Sequence, residues 1–414
     1  MNKEYLSTYF EGVAAKRLNA ADVSTRLSDK HELNEVGPLR NLLGEEMLDN
    51  CPTTFVHISD QCESFFEDSF ITWYGTKTSD LKYSEQRLCF SSNTVMEMAK
   101  EGDLLIVAKR PKNKIVVFIV PWHGTIENQM LWLFRVPGKF DTKFKYLDYH
   151  GGDDCPLDFA SRYILDHLSI AIDEHENQDT VNLSNLLLKR FPLGFPNTLE
   201  FSSFVRETLP KIDEVGDPDK TLLTWVQQDG RLSQRLERQI LAPLIKESFW
   251  NQKELDFDKF LELSINVINQ RESHVSEAFG HHLAHIFTSN KLKFERQTVT
   301  GSLDKNTFLF PDEVSQNDGV LGSIRLTILG VKSTCKDRWV QAMYEAARIQ
   351  KNYLVTIEPG ISESQTEEMK AQNLQLIVPR QLHATYRDSQ RQWLMDVKEY
   401  IHMVRQQQDI HAQV

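Results

Sequence analysis

The sequence predicts a mixed α/β protein in which a β-rich N-terminal part precedes a C-terminal part of alternating strands and helices. Two observations lead to this fold class. Between residues 52 and 134, short runs rich in β-branched and aromatic residues are separated by turn and charge clusters. From residue 306 onward, strand-like and helix-like segments alternate, as in parallel βαβ units. We place the domain boundary near residue 185, which gives predicted domains of 1–185 and 186–414.

The N-terminal part contains five predicted strands. Their composition and short length are typical of a small antiparallel barrel or sandwich. The runs are TTFVHIS, SFITWYG, DLLIVAK, KIVVFIVPW and MLWLFRV.

The C-terminal part begins with two long segments whose apolar residues recur at three- and four-residue spacing, which predicts helices. These segments are LSQRLERQILAPLIKESFW and FDKFLELSINVINQRESHVSEAFGHHLAHIFTSN. Four strands are then predicted at NTFLFP, IRLTILGVK, NYLVTIEP and LQLIVP. Helices are predicted near residues 337–350, over SESQTEEMKAQN and over DSQRQWLMDVKEYIHMVRQQQ. Ser362 and Gln365 have the spacing of a capping box.

Composition places the chain among soluble globular proteins, with 40% hydrophobic and 26% charged residues. No apolar run approaches the roughly 20 residues of a membrane-spanning helix, and the N-terminus lacks the pattern of a secretory signal. The five cysteines lack CxxC spacing, so we expect a reducing, cytoplasmic location. A net charge of −12 argues against a uniformly basic nucleic-acid coat but leaves room for a local basic patch.

The stretch GVKSTCKDRW, residues 330–339, concentrates charge at a predicted strand-to-helix junction. Lys332 ends the strand, and Lys336, Asp337 and Arg338 begin the helix. A lysine at that place can hold a phosphate, and a helix N-terminus favours anions. Cations there can also read guanine edges, while an aspartate can accept from a cytosine amino group. The alternative, more frequent on residue types alone, is a solvated and charged first helical turn.

Glu345 is a candidate metal ligand on the same predicted helix, 13 residues after Lys332. Cleavage of a phosphodiester at a metal site needs carboxylates for Mg²⁺ and a cation near the nucleophile. The pair therefore has the residue types that such a site requires.

These residues resemble the type II restriction endonucleases of the EcoRII class. KSTCKDRW, the Glu-Ala at Glu345, and LVTIEPGISESQTEEMKAQNLQLIVPRQLHATY carry the resemblance, and FLFP and HLAHIF fit it at matching distances. In the N-terminal part, FVHISDQC and ITWYGTKT resemble the effector domain of that class, a B3-like DNA-binding pseudobarrel.

The resemblance implies a homodimeric, Mg²⁺-dependent nuclease of the PD-(D/E)xK superfamily, with a restriction-endonuclease-like C-terminal domain that acts in restriction-modification. Its expected partner is double-stranded DNA with CC and GG half-sites. The implied catalytic residues are Lys332 and Glu345, and Glu345 is also the implied metal ligand. The implied DNA-binding residues are Lys336, Asp337, Arg338 and Arg271, the last being the one clear cation left in a segment that is basic in the family.

Two positions depart from the family. Thr307 stands where the family has its central metal-binding aspartate, and Gly280 stands where it has a glutamate. A threonine hydroxyl is neutral and replaces a carboxylate on Mg²⁺ poorly. Glu277, about one helical turn before Gly280, is a candidate substitute, as is Asp304, three residues before Thr307. Asp312 follows the FLFP strand, at the wrong end for the site. For each carboxylate, a solvated surface position is the more common role.

Three histidines, His281, His282 and His285, invite comparison with a metal-binding helix, because the first and last have i, i+4 spacing. No glutamate lies between them and no third ligand is evident. We therefore favour a structural role for all three.

Three functions stay open at the level of sequence. We favour a homologue that binds DNA with catalysis weakened or lost, because losing a central Mg²⁺ ligand removes a large electrostatic contribution. The first alternative is an active Mg²⁺-dependent, site-specific endonuclease with relocated carboxylates; without activity no cofactor is expected. The second alternative is a scaffold that does not bind DNA, which the acidic net charge would suit.

Overall fold

The computed structural model describes residues 4–23, 32–33, 36–60, 64–76, 85–137, 142–149, 156–168, 170, 172, 178–192, 194–249, 257–297, 307–310, 327–334 and 352–412. The chain forms two compact units. The first comprises Met1–Ala171 with Pro359–Gln365, and the second comprises Ile172–Glu358 with Thr366–Val414. The domain limits given above, 1–185 and 186–414, stay a prediction. No helix in the described ranges combines the length and apolar character needed to cross a bilayer.

The first unit is built on an eight-stranded sheet with the order β2-β5-β4-β3-β7-β6-β1-β8. Neighbouring strands are antiparallel, except that β3 and β7 are parallel. The strands are β1 (Gly12–Arg17), β2 (Glu32–Leu33), β3 (Leu48–His57), β4 (Phe65–Thr76), β5 (Glu85–Phe90), β6 (Leu104–Arg110), β7 (Lys114–Val120) and β8 (Lys145–Asp148). The helices are α1 (Ala20–Val23), α2 (Val36–Leu43), α3 (Thr94–Met98), α4 (Thr125–Leu133) and α5 (Phe159–His167).

One predicted strand of the first unit is wrong. The run MLWLFRV continues helix α4, which begins five residues earlier. The carboxylate of Asp60 accepts hydrogen bonds from the backbone N–H groups of Thr125 (2.7 Å) and Ile126 (2.9 Å) and so satisfies the helix start. A short apolar run cannot by itself distinguish a buried helix from a buried strand.

Segment Pro359–Gln365 belongs to the first unit although it follows much later in the sequence. The side chain of Gln129, which is buried, donates to the carbonyl of Pro359 (3.0 Å). Asn128 donates in the same way to Gly360 (3.1 Å). The segment thus satisfies polar groups of helix α4.

The second unit contains a five-stranded sheet with the order β13-β12-β11-β10-β9. Strands β11, β12 and β13 are parallel, which confirms the βαβ prediction, whereas β10 is antiparallel to both β9 and β11. The strands are β9 (Glu295–Gln297), β10 (Thr307–Phe310), β11 (Thr327–Lys332), β12 (Asn352–Thr356) and β13 (Leu374–Ile377). The helix predicted near residues 337–350 lies outside the described residues.

The helices of the second unit confirm both long predicted segments. They are α6 (Gln178–Arg190), α7 (Thr198–Glu207), α8 (Pro218–Phe249), α9 (Phe257–Ser289), α10 (Glu363–Ala371), α11 (Asp388–Arg391) and α12 (Val397–Ala412). Phe287 of α9 packs edge-on against Phe308 and Phe310 of the sheet, with ring centroids 5.3 and 5.4 Å apart. The N–H of Gln365 donates to the Ser362 hydroxyl (3.3 Å), as the capping spacing predicts.

The closing helix predicted over DSQRQWLMDVKEYIHMVRQQQ is two helices, α11 and α12. Asp396 starts the second one, because its carboxylate accepts from the N–H of Glu399 (2.7 Å) while the Glu399 carboxylate accepts from the N–H of Asp396 (3.0 Å). This reciprocal cap breaks the helix where the apolar spacing alone continues. Met395 instead makes a bridge to Ile377 at the end of β13.

Candidate functional site

Thr307 and Lys332 share one face of the second sheet. Thr307 is the first residue of β10 and lies directly opposite Gly330 of β11. Opposed residues of an antiparallel pair point to the same face, and so do residues two apart on one strand. Lys332, two residues after Gly330, therefore points to the face that carries Thr307. Thr307 is buried, whereas Lys332 is half-buried at the carboxyl end of its strand.

The row of side chains through Thr307 contains no carboxylate. Across the sheet this row runs from Gln297 through Thr307 and Gly330 to Leu354. Mg²⁺ prefers carboxylate oxygens and holds them in near-octahedral geometry. Within the ranges that the structure describes, no group of three His, Cys, Asp or Glu residues is placed to hold a metal ion. The described residues therefore do not fit the Mg²⁺ site that the resemblance implies.

Glu277 lies beside the opposite face of the sheet. Arg296 of β9 is paired with Phe308, so it shares the face that Thr307 does not. Its guanidinium contacts His281 Nδ1 (2.7 Å) and donates to the backbone carbonyl of Glu277 (3.4 Å). Gly280 is buried on the same helix, α9. The use of Glu277 as a substitute catalytic carboxylate stays a prediction.

Five predicted site residues lie outside the described residues: Lys336, Asp337, Arg338, Glu345 and Asp304. Their predicted roles in DNA recognition and metal binding therefore stay predictions.

Arg271 contacts a buried carboxylate. Its Nε donates to Glu237 Oε2 (2.6 Å), and its Nη2 bonds to the other carboxylate oxygen. The arginine side chain is 56% exposed and that of Glu237 only 7%. A bidentate guanidinium pairs well with a carboxylate that burial has stripped of water. The residue thus joins α8 to α9, and its predicted contact with DNA stays a prediction.

A buried polar network centred on Asp229 was not expected from the sequence. The Asp229 carboxylate accepts from Ser202 Oγ (2.9 Å), His274 Nε2 (2.6 Å) and His282 Nε2 (3.1 Å). The second ring nitrogen of His282 contacts the guanidinium of Arg206 at 3.1 Å. A guanidinium only donates, so His282 Nδ1 accepts and its Nε2 carries the proton. The network ties α7, α8 and α9 together.

The charges of this network follow from its burial and hydrogen bonds. Burial alone would raise the pKa of Asp229, but the bonds from His274 and His282 outweigh it and lower that pKa to about 2. Burial also lowers the pKa of His282, against the opposing effect of Asp229. A neutral His282 donating to an ionised Asp229 agrees with both shifts. The sequence of α9 shows only apolar residues at three- and four-residue spacing. It contains no motif that predicts the Asp229 network.

The three adjacent histidines have three different partners. His282 bonds to Asp229, His281 to Arg296, and His285 Nε2 lies 3.2 Å from Glu214. Burial, followed by the charge of Arg296, lowers the pKa of His281 to about 4. The side chains do not converge on one point.

Glu358 is a buried carboxylate that the sequence reasoning missed. It follows β12, whose Thr356 is paired with Lys332. Its N–H donates to Thr356 Oγ1 (3.1 Å), and its carbonyl accepts from the Tyr386 hydroxyl (2.6 Å). Its signal in the sequence was its place at the end of the predicted strand NYLVTIEP, which follows the strand of Lys332.

Comparison with known proteins finds a family match in the C-terminal part of the chain. Residues 233–401 match the family model described as EcoRII C terminal. This range contains most of α8, all of α9 and the whole second sheet. The resemblance to restriction endonucleases of the EcoRII class is thereby confirmed, and residues 233–401 are the part of the chain that matches the family model.

The type II restriction enzyme EcoRII of Escherichia coli is a curated relative. It is 31% identical over 230 residues, which cover 54% of this chain and 54% of the relative. The chain thus spans about half the length of that relative.

Two solved structures are more distant. Metal-depleted Ecl18kI in complex with uncleaved DNA is 14% identical, with a TM-score of 0.42 over 55% of this chain and 84% of that chain. The complex of restriction endonuclease PspGI with substrate DNA is 13% identical, with a TM-score of 0.38 over 58% of this chain and 99% of that chain.

Proposed function

We propose that this protein binds double-stranded DNA at sites built from CC and GG, and that its capacity to cleave DNA is weakened or lost. It acts as a homodimer. Its second unit has the PD-(D/E)xK type of architecture, and its β-rich first unit is a B3-like domain that contacts DNA or an effector. The relationship of residues 233–401 to the EcoRII C-terminal family supports the class of substrate.

The arrangement of Thr307, Gly330 and Lys332 carries the proposal. The lysine stays at the carboxyl end of a buried strand, where it can contact a phosphate. The position that shares its face holds a neutral hydroxyl in place of a carboxylate. Removing one preorganised electrostatic group from an active site typically lowers kcat about 10²- to 10³-fold. DNA recognition is predicted to depend on other residues, Lys336, Asp337 and Arg338. It is therefore compatible with the loss of the carboxylate at position 307.

Paired binding and cleavage assays test the proposal. One arm is a gel shift in Ca²⁺ on a duplex carrying a CC/GG-type site, with a scrambled duplex as control. The other arm is plasmid cleavage with Mg²⁺ or Mn²⁺. We expect a specific shift, weakened by Lys332→Ala and abolished by Arg338→Ala, with no cleavage or slow cleavage.

Each other result has a definite meaning. Rapid cleavage that Lys332→Ala abolishes would overturn the loss of catalysis and favour relocated carboxylates. Glu277→Gln and Asp304→Asn would then identify which carboxylate serves. A protein that neither shifts nor cleaves DNA would favour the scaffold function instead.

A further inference from the structure

The hairpin of α8 and α9 carries an apolar stripe that the described residues leave exposed. Residues 258–277 of α9 are all exposed or half-buried, over a length of about 30 Å. The first buried residue of the described helix is Ala278. The buried cluster formed by α6, α7 and α8 extends along α8 only to Leu236, and the partly buried Ile240 packs against it. Among the residues that the structure describes, the end of the hairpin therefore has no buried core.

The exposed apolar residues of α9 have the spacing of a coiled-coil seam. Leu261, Ile265 and Ile268 are separated by four and three residues, and Val275 follows seven residues later. They are 42%, 56%, 54% and 37% exposed, respectively. Apolar residues at these intervals form one stripe that supercoils against a second helix. Glu272 occupies the remaining seam position, at one end of the stripe.

We propose that this seam pairs with the same seam of a second copy of the chain, antiparallel and centred on Ile265 and Ile268. In a two-fold contact the same patch meets itself, so a self-complementary stripe is required. An antiparallel pair places Ile265 of one copy against Ile268 of the other, twice. The polar Glu272 then lies at the two ends of the contact rather than at its centre.

The charges of the two helices favour a second copy over an unrelated partner. Residues 231–245 of α8 contain three arginines and one glutamate, a net charge of +2. Residues 258–277 of α9 contain four carboxylates against Lys259 and Arg271, a net charge of −2. Arg271 and Glu237 already pair within one copy, and without them the two stretches carry +3 and −3. Two-fold pairing brings the acidic α9 of one copy beside the basic α8 of the other. Opposite charges flanking a seam set the partner and its orientation.

Oligomeric state tests the pairing. This inference locates the contact of the proposed homodimer and rests on that part of the proposed function. We expect light scattering coupled to gel filtration to give twice the chain mass for the wild type. Ile265→Glu and Ile268→Glu should each raise the dimer dissociation constant at least about 100-fold, because they bury an unpaired carboxylate. Both side chains are solvent-exposed within one copy, so each variant should keep its helical circular dichroism.

Asn266→Glu is the matched control, because it adds the same charge to an exposed position beside the stripe. It should leave the mass unchanged. A wild-type monomer at high concentration, or a dimer that survives both isoleucine variants, would overturn the inference. If the wild type is a dimer, both isoleucine variants disrupt it, and the wild type still fails to shift DNA, the inference stands. Only the proposed DNA binding is then contradicted.

Discussion

Thr307 and Lys332 point to the same face of one sheet from two neighbouring antiparallel strands, with Gly330 opposite the threonine. Lys332 has kept its place, and the described positions next to it on that face are Thr307, Gly330 and Thr356, none of which is charged. A carboxylate put back at position 307 would therefore lie in a buried place on the same face as the half-buried Lys332.

Thr307→Asp should make the stability of the protein depend on divalent cations. An ionised carboxylate at this buried position loses its hydration, so we expect the substitution to lower the free energy of unfolding by about 3 kcal/mol. Mg²⁺ or Ca²⁺ should recover part of that loss, because binding to the native state alone stabilises it. Thermal melts with and without the cation measure both effects. Thr307→Asn, similar in size but neutral, should show no recovery, and equal responses of the two variants would contradict the expectation.

Asp229→Asn should destabilise the packing of α7, α8 and α9. The substitution removes the ionised acceptor that Ser202, His274 and His282 share, and breaking such a buried charged network typically costs about 3–5 kcal/mol. Urea unfolding at pH 7 measures the change. Asp409→Asn, at an exposed position on α12, is the control and should change the free energy of unfolding by less than about 0.5 kcal/mol.

The same aspartate predicts an acid limb of stability. Its pKa is about 2 in the folded protein, below the ordinary value of 3.8. The unfolded chain therefore binds more protons, so the contribution of Asp229 is fully present above pH 3.8 and is lost as the pH falls through 2. The difference in stability between wild type and Asp229→Asn should accordingly shrink in acid. A difference that stays constant from pH 7 to pH 2 would contradict the assignment.

Asp219 predicts the opposite dependence. It accepts backbone N–H bonds from Arg380 (3.1 Å), Val397 (2.9 Å) and Lys398 (3.1 Å), but burial outweighs them and raises its pKa from 3.8 to about 6. The folded protein binds more protons between those values, so stability should fall as the pH rises from 4 to 6. Asp219→Asn should flatten this window in urea titrations. An unchanged profile would show that another group titrates there.

Arg271→Ala should destabilise the protein even without DNA. It leaves the carboxylate of Glu237, which is 7% exposed, without its bidentate donor, and an unsatisfied buried group costs about 1–3 kcal/mol. The double variant with Glu237→Ala should recover part of this loss, and the cycle of urea unfolding measurements gives the coupling. A single variant of wild-type stability but weaker DNA binding would instead favour the predicted phosphate contact.

The fold was predictable where apolar residues recur at helical spacing over a long segment, or where strand-like and helix-like segments clearly alternate. Helices α8 and α9 follow from the three- and four-residue spacing of their apolar residues. Strands β10 to β13 follow from short apolar runs, because they are buried almost throughout. The run MLWLFRV was misread because its helix starts through Asp60, 65 residues from Thr125 in sequence. The single closing helix was wrong because Asp396 and Glu399 cap a second start inside an unbroken apolar pattern.

The site was predictable only in part, for a related reason. The resemblance pointed to Lys332 and to the missing carboxylate at Thr307, and strand register then placed the two on one face. The Asp229 network had no signal, because Ser202, Asp229 and His282 come from three helices and have no motif spacing. Hydrogen bonds between distant elements depend on packing that a single sequence does not display.

Segment Pro359–Gln365 of the first unit is translated after most of the second unit. Gln129 leaves the ribosome some 230 residues before the carbonyl of Pro359 that accepts its bond. The acceptor that Gln129 has in the folded protein is therefore made only after most of the second unit has been translated. A fragment cut after Ala171 never receives that acceptor. Completion of the N-terminal sheet domain is in this way a late event, timed by the translation of the C-terminal one.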